Sequence, residues 1–390
     1  MFVGTAMFPI VSPGYFYILI INAVMRPLLI LLLLGFGIMV NAQPNTHRHW
    51  HEGPLTPKDF EAGDRKYKSG WMAYKVRYHP GVERHQDTTV KKLITDAFMV
   101  PELSSLPGER TAQALLFNQV LLDLLEIRRR KLQQELDQMG NDWTTDLIFS
   151  RHADSLDLTV ARLQAETDSG RNKEAIDRWK QYVEENMPVL PAPAHLMWSR
   201  VARFGYGLHA SLGKSSFTGN LAKAFDPTIN VGFGFDFAWN QTILMIHATL
   251  GFGSAARQDL YLDNYWRKDT AARLAVIDVS IGQFILDTRR WKLTPFAGLG
   301  ITEFSTPARE EDEETNATAR YSYAAGLQLE YKLHKKINLI PTRGWKVNEY
   351  SELMARIRLY TTHFSYSGIN GNTVNIAVGI SGFGRVVRKK

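Results

Sequence analysis

Few residues in this chain combine the types and spacing that chemistry requires. His47, His49 and His51 form a His-x-His-x-His run, and imidazoles so spaced could hold Zn or Cu. No second ligand cluster accompanies them, so the competing reading is a solvated, slightly basic tail. The other histidines, His79, His85, His152, His195, His209, His247, His334 and His363, show no ligand spacing. The sequence holds no Gly-x-Ser-x-Gly elbow, no Walker loop and no dinucleotide fingerprint. Gly232, Gly234, Gly251 and Gly253 fit strand curvature and small interior positions better than a phosphate cradle. With no cysteine, thiolate metal sites and disulfides are excluded. The expectation is a non-enzymatic protein with no catalytic residue, no bound metal and no cofactor.

Composition bounds the elements that could position such groups. The 390 residues are 45% hydrophobic and 22% charged, with 29 glycines and a formal net charge of +7. That length allows two or three domains, and the composition excludes a wholly disordered chain. The charge is modest and no Lys/Arg tract dominates, so nucleic acid is not an expected partner. Long apolar stretches lie only in the first 40 residues, which excludes a helical membrane protein with many spans. Met25-Arg26-Pro27, the apolar run 28–40 and Asn41-Ala42-Gln43 read as a signal peptide over 25–42, with Val40 and Ala42 at the −3 and −1 positions of the cut. Residues 1–24 then read as an over-extended start; the alternative is one uncleaved anchor over 15–40. Either way the rest of the chain leaves the cytoplasm.

Residues 43–187 read as a mainly helical domain of α-rich (α+β) type. Thr111–Met139 is rich in Leu, Gln, Glu and Arg and stops at Gly140, a C-cap signal. The stretch 154–187 continues in helix formers and breaks at Gly170, and Pro188, Pro191 and Pro193 mark a stiff linker over 188–197. The run Leu115-Leu116-Phe117-Asn118-Gln119-Val120-Leu121-Leu122-Asp123-Leu124-Leu125-Glu126, followed by Arg128 to Arg130, resembles the helix of a bacterial family of unknown function thought to be secreted zinc peptidases. Residues 55–60 are similar to that family's opening Trp-x-Asp-Phe segment. The resemblance implies His-Glu-Gln-x-His on the helix, two imidazoles on one face toward zinc with the glutamate as base. Here those three positions hold Phe117, Asn118 and Leu121, which neither ligate a metal nor take a proton, while Gln119, Asp123 and Glu126 remain. A peptidase-like fold without peptidase chemistry is one reading, and an ordinary amphipathic helix with buried Leu and Val is the other.

From Arg203 the pattern changes. Ile229, Val231, Phe233, Phe235, Phe237 and Trp239 alternate with Asn230, Gly232, Gly234, Asp236 and Ala238, and Tyr321, Tyr323, Ala325, Leu327, Leu329 and Tyr331 alternate likewise with small or polar residues. Period two with one apolar face is a strand signal. Eight such segments, 203–214, 228–239, 241–252, 273–285, 290–303, 320–332, 352–365 and 373–384, approach the ~9–11 residues of a tilted membrane strand. Phe204, Trp239, Trp291, Tyr321, Tyr331 and Phe364 fall near segment ends, where membrane interfaces collect aromatics. The fold class predicted is therefore mixed: an 8-stranded antiparallel transmembrane β-barrel over 198–390, preceded by the helical domain. An eight-stranded lumen is filled by side chains. Asp236, Asp278 and Glu330 are expected to pair inside with Arg320, Arg356 and Arg358, and with Arg273. Phe235→Arg should place a charge in lipid, whereas Gly234→Ala should be milder.

Short turns at Asn240-Gln241 and 287–290, against long hydrophilic loops at 215–227, 254–272 and 304–319, put the start of the first strand and everything before it in the periplasm. The 333–351 connection, with Pro341 and Trp345, is too long for that scheme, and a ten-stranded count using 337–347 stays open. The acidic run Glu310, Glu311, Asp312, Glu313, Glu314 reads as a solvated loop. Asp87-Thr88-Thr89, Asp154-Ser155-Leu156 and Asp269-Thr270-Ala271 resemble the O-glycosylation triplet of Bacteroidota. The barrel pattern resembles the small OmpX-like and porin-like outer-membrane barrels of Gram-negative bacteria, and the Asn-Ala-Gln processing region resembles Bacteroidota. It departs from that family at its end, where Phe383 is followed by Gly384-Arg385-Val386-Val387-Arg388-Lys389-Lys390 in place of a terminal aromatic. The resemblance implies an outer-membrane protein whose partners are outer-membrane lipid and an unidentified periplasmic or envelope protein bound by the N-terminal scaffold domain. Two alternatives stand. One is a barrel enzyme acting on lipid or peptide at the outer rim, where Ser254, Asp259, Asp263, Asp269 and His363 are the groups at hand. The other is an inner-membrane-anchored soluble β protein.

Overall fold

Strands β1 (Tyr74–His85) and β2 (Thr88–Met99) form a hairpin, paired from His85↔Thr88 to Tyr74↔Met99. They belong to a computed structural model that describes residues 47–61, 71–106, 111–140, 144–190, 192–307, 316–340, 348–366 and 369–390. The leader, residues 1–24, Trp143, the 310–314 acidic run, Pro191, and Pro341 with Trp345 all lie outside the described residues. β1 contains Pro80, which a strand bonded on one side only tolerates. The α-rich (α+β) reading of the segment left its strands unplaced, and this hairpin supplies them.

Three helices follow: α1 (Thr111–Met139), α2 (Thr145–Glu166) and α3 (Lys173–Asn186). α1 ends at Gly140, whose φ of +68° is costly for a residue with a Cβ, and whose N–H donates to the Leu136 carbonyl. α1 is the axis of the domain. Val120, Leu121, Leu124 and Leu125 bury against Ala97 and Met99 of β2, Leu156 and Val160 of α2, and Ile176 and Trp179 of α3. Polar ties lock the same contact, with Gln133 receiving the Thr95 N–H at 2.8 Å and donating to the Leu93 carbonyl at 3.0 Å.

The rest of the chain forms a closed ring of antiparallel strands: β3 (Arg200–Phe217), β4 (Thr228–Trp239), β5 (Thr242–Ala255), β6 (Ala271–Gln283), β7 (Trp291–Ser305), β8 (Ala317–Asn338), β9 (Glu349–Tyr366) and β10 (Ile369–Arg388). β10 closes on β3 from Thr373↔Phe217 to Arg388↔Arg200, so the ring has no open edge. Side chains alternate between the two faces through the middle of the ring. Phe235 is 55% exposed and its neighbour Asp236 is 1% exposed. Leu208, Ile281, Leu299, Tyr323 and Val378 share the outer face, while Ser280, Gln328, Arg358 and Asn375 are buried inside. The same alternation corrects the expectation for Arg273, which sits between buried Ala272 and Leu274 and so faces away from the lumen.

β8 overruns the ring. A bulge between Lys332 and His334 shifts its register, and its last residues pair in parallel with β2, Lys335↔Thr88 to Asn338↔Lys91. The long 333–351 connection is thus partly an overhang that carries the N-terminal hairpin, and the described residues place no ninth or tenth strand in the ring. Val90, Ala194, Trp198, Ile337, Leu339 and Val387 form a small core at that junction. Trp198 also donates its indole N–H to the Asp137 carbonyl at 2.8 Å.

Candidate functional site

Among the described residues the barrel interior is densely polar, and its ends are closed differently. At one end the loop between β5 and β6 folds inward. Trp266, Leu260 and Leu262 pack with Phe225, Phe304 and Phe364 into an apolar cap, with the Phe225 and Phe304 rings stacked at 4.3 Å. At mid-lumen Arg356, on β9, donates from Nε to Glu330 Oε1 at 2.9 Å and from Nη2 to Asp236. Ser381 donates to the same Glu330 oxygen at 2.8 Å. Arg358 donates to Asp278 Oδ1 at 3.1 Å and lies over the Phe296 and Tyr360 rings at 4.4 and 4.7 Å. Buried charges persist only when paired and hydrogen-bonded, and every carboxylate in this layer has a guanidinium.

A second set of polar contacts crosses the same layer. His209 Nδ1 lies 3.6 Å from Asp236 Oδ2, and His209 Nε2 lies 2.8 Å from His247 Nδ1. His247 Nε2 then meets Thr249 Oγ1 at 3.0 Å, which meets the Tyr360 hydroxyl at 2.7 Å. The stacked imidazoles require Gly234. A Cβ there would sit 2.4 Å from the Ile246 carbonyl and 2.8 Å from the His209 ring. The expectation that Gly234→Ala is milder than Phe235→Arg took no account of these contacts. Partners 38 positions apart leave no motif in the sequence. Strand parity was the available signal, since His209 shares its face with Ser211 and His247 shares its face with Met245 and Thr249.

Arg320 corrects another expectation. It points into the mouth closed by the apolar cap, where it pairs with Asp263 at 2.8 Å and lies 3.9 Å from the Tyr366 ring, away from the mid-lumen carboxylates. The other rim groups are engaged separately. Ser254 donates to the Asp226 carbonyl, Asp259 accepts the Lys268 N–H at 2.7 Å, and His363 Nδ1 lies 2.8 Å from Asn372 Oδ1. They do not converge on a nucleophile with a base.

The opposite mouth carries the junction. Glu352 is flanked by Lys332 at 2.8 Å and Lys292 at 3.2 Å, and accepts the Tyr350 hydroxyl at 2.8 Å. This cluster faces Trp198 and His195 across a cavity of about 670 Å³. At its edge Asp87, in the β1–β2 turn, accepts from Arg289 Nε at 3.0 Å and pairs with Lys335 at 3.3 Å. Those two cations hold the Asp87 carboxyl well below the usual carboxylate range.

In the helical domain the zinc-motif positions build structure. Phe117 and Leu121 are core residues. Asn118 accepts the Met72 N–H at 3.0 Å and donates to the Ala114 carbonyl at 2.8 Å. Gln119 accepts the Leu55 N–H and donates to Asp123, which also accepts the Trp50 indole N–H at 2.8 Å; burial raises the Asp123 pKa despite these donors. Burial works against ionising Glu126 too, but bonds from Arg129 and Arg130, each 2.7 Å, outweigh it and lower its pKa. His47 stacks on Phe98 at 3.9 Å and His49 pairs with Asp96 at 3.3 Å. Among the described residues no group of three or more His, Asp or Glu side chains is placed to hold a metal.

No protein-family model matches the sequence, and no curated protein matches it. Several solved structures are similar over part of the chain. Neisserial surface protein A is 11% identical, covering 47% of this chain and 98% of its own, with a TM-score of 0.31. The Yersinia pestis attachment invasion locus protein Ail is 10% identical over 47% and 99% of the two chains, TM-score 0.25. The N-terminal β-barrel domain of Pseudomonas aeruginosa OprF is 10% identical over 47% and 99%, TM-score 0.24.

Proposed function

We propose that this chain is an outer-membrane protein whose closed barrel holds the N-terminal domain against its periplasmic mouth as a non-catalytic scaffold for an envelope partner. One observation carries the reading. The outer face of the ring is an unbroken apolar band, Leu208, Phe235, Ile246, Ile281, Leu299, Ile357 and Val378, over an interior of paired charges. Water would disfavour that arrangement, and hydrocarbon demands it, because a closed ladder satisfies every backbone group internally. Trp239 and Trp291 lie at the end with the short turns, and Trp291 packs on Tyr331 at 4.8 Å. Short turns mark the periplasmic side in such barrels, and the hairpin and helices dock at that end. A lumen capped by Phe225 and Trp266 and crossed by the arginine pairs suits an anchor better than a pore. In this reading the 25–42 segment is the export leader.

Cell fractionation tests it. The full chain should appear in the outer-membrane fraction with heat-modifiable gel mobility, an epitope in 256–270 reachable from outside and residues 74–99 protected until the outer membrane is breached. A chain that stays soluble without detergent would end the proposal.

A further inference from the structure

The outer wall carries one recess that neither the lumen nor the N-terminal domain explains. His334, Leu353, Gly382, Leu208 and Phe235 are successive register partners across five strands. Lys336, Ser351, Gly384, Tyr206 and Phe237 form the next row toward the short-turn end. Lys91, Asn338 and Glu349 form the third. The bulge after Lys332 turns His334 and Lys336 to the outside. Gly382, where a Cβ would meet nothing within 4 Å, leaves a gap between Leu208 and Leu353, and the recess measures about 490 Å³, within the ~300–1,000 Å³ of small-ligand sites.

Its floor is apolar and its edge is charged with both signs. Lys91 and Glu349 both oppose Asn338, two residues beyond Lys336 on β8, so a second cation and a carboxylate flank the Lys336 side. Glu349 Oε1 is held by the Tyr206 hydroxyl at 2.8 Å. Lys336 and Glu349 are diagonal neighbours on adjacent strands, a separation of about 7–8 Å, so their side chains can flank an anion and a cation a few bonds apart. The geometry points to one occupant: a phosphatidylethanolamine-type phospholipid with its phosphate on Lys336 and Lys91, its ammonium on Glu349, and an acyl chain laid over Gly382 between Leu208 and Leu353. The inference rests on the membrane reading above. A phosphate without an ammonium would leave Glu349 facing like charge, and a second copy of the chain would bring its own apolar band and no phosphate.

Native mass spectrometry of the full chain, released from membranes in mild detergent and offered phosphatidylethanolamine or phosphatidylglycerol, tests this. One phosphatidylethanolamine per chain is expected, preferred roughly fivefold, the worth of about one exposed ion pair. A Cβ at Gly382 meets nothing within 4 Å, so Gly382→Leu should keep heat-modifiable mobility while filling the recess and losing the lipid. Lys336→Gln should weaken both lipids, and Glu349→Gln should erase the preference between them. Lipid retained by Gly382→Leu, equal retention of phosphatidylglycerol by the unaltered chain, or a second copy of the chain in place of lipid would overturn the inference. A detergent-requiring barrel that holds no lipid sinks this site alone, whereas a chain needing no detergent sinks the membrane reading itself.

Discussion

Asp87 and Arg289 stand 202 positions apart and share an ion pair, Nε to Oδ2 at 3.0 Å. The pair ties the tip of the N-terminal hairpin to a turn at the barrel mouth, beside the parallel ladder between β2 and the overhang of β8. A strand that outruns its ring offers unpaired backbone groups, which template a further strand. The N-terminal domain therefore sits on the barrel through main-chain pairing, and Asp87 supplies registration more than strength.

Asp87→Asn should loosen this contact only slightly. Arg289 is 59% exposed, so solvent screens the pair and it contributes little, less still at high salt. Hydrogen exchange at residues 88–91 should quicken modestly in the variant while mid-barrel amides stay unchanged. The pH dependence has a definite sign. A carboxyl depressed in the folded state contributes stability that is present above its unfolded pKa of about 3.9 and is lost as pH falls through the lower folded value. Docking should hold at pH 5 and weaken only in stronger acid. Protection already lost between pH 7 and pH 5 would show that another group governs the contact.

Phe235→Arg and Gly234→Ala should both be damaging, for different reasons. The first puts a cation on the apolar band, at about 2–4 kcal/mol near the bilayer midplane. The second drives a methyl into the Ile246 carbonyl and the His209 ring. Urea unfolding in lipid vesicles separates them, because a water-soluble ring would tolerate Phe235→Arg at an exposed position and still reject Gly234→Ala.

Arg356→Met should be among the most destabilising single changes in the barrel. It removes the guanidinium shared by Asp236 and Glu330, both nearly fully buried. Breaking one partner of a buried pair costs about 3–5 kcal/mol. Adding Asp236→Asn and Glu330→Gln should recover part of that loss in the same unfolding measurement. No recovery would mean that Arg356 acts by packing instead of charge.

The legibility of the chain followed the range of its interactions. Period two in 229–239 and 321–331 is local, so the facing of Phe235 against Asp236 could be read from adjacent residues. The His209–His247 contact is set by strand register, and nothing within either segment announces it. The β1–β2 hairpin carries period two in Tyr74, Val76 and Tyr78 against Lys75, Arg77 and His79, but the run is short and Pro80-Gly81 looks like a turn that ends it. The overhang of β8 was hidden by the bulge at Lys332, which resets the parity on which strand reading depends. Gly140 ended its helix as read, because a C-cap signal is also local.

The helical domain should bind no stoichiometric zinc. The positions that would present two imidazoles hold Phe117 and Leu121, and these are 3% and 0% exposed within the core shared by α1, α2 and α3. A ligand there would face hydrocarbon side chains and not a cleft. Asn118, between them, spends its amide on the Met72 N–H and the Ala114 carbonyl. Elemental analysis of the purified full chain after dialysis against zinc should find well under one zinc per chain, with His49 held by Asp96 and His47 stacked on Phe98. Restoring the motif as Phe117→His with Leu121→His should not create a site, because it opens the core and buries two polar rings at a cost of several kcal/mol. Such a variant should unfold at lower temperature with zinc present or absent. One tightly held zinc in the unaltered chain, or zinc-dependent stabilisation of the double variant, would mean that this helix retains a metal site and that the scaffold reading of the domain is wrong.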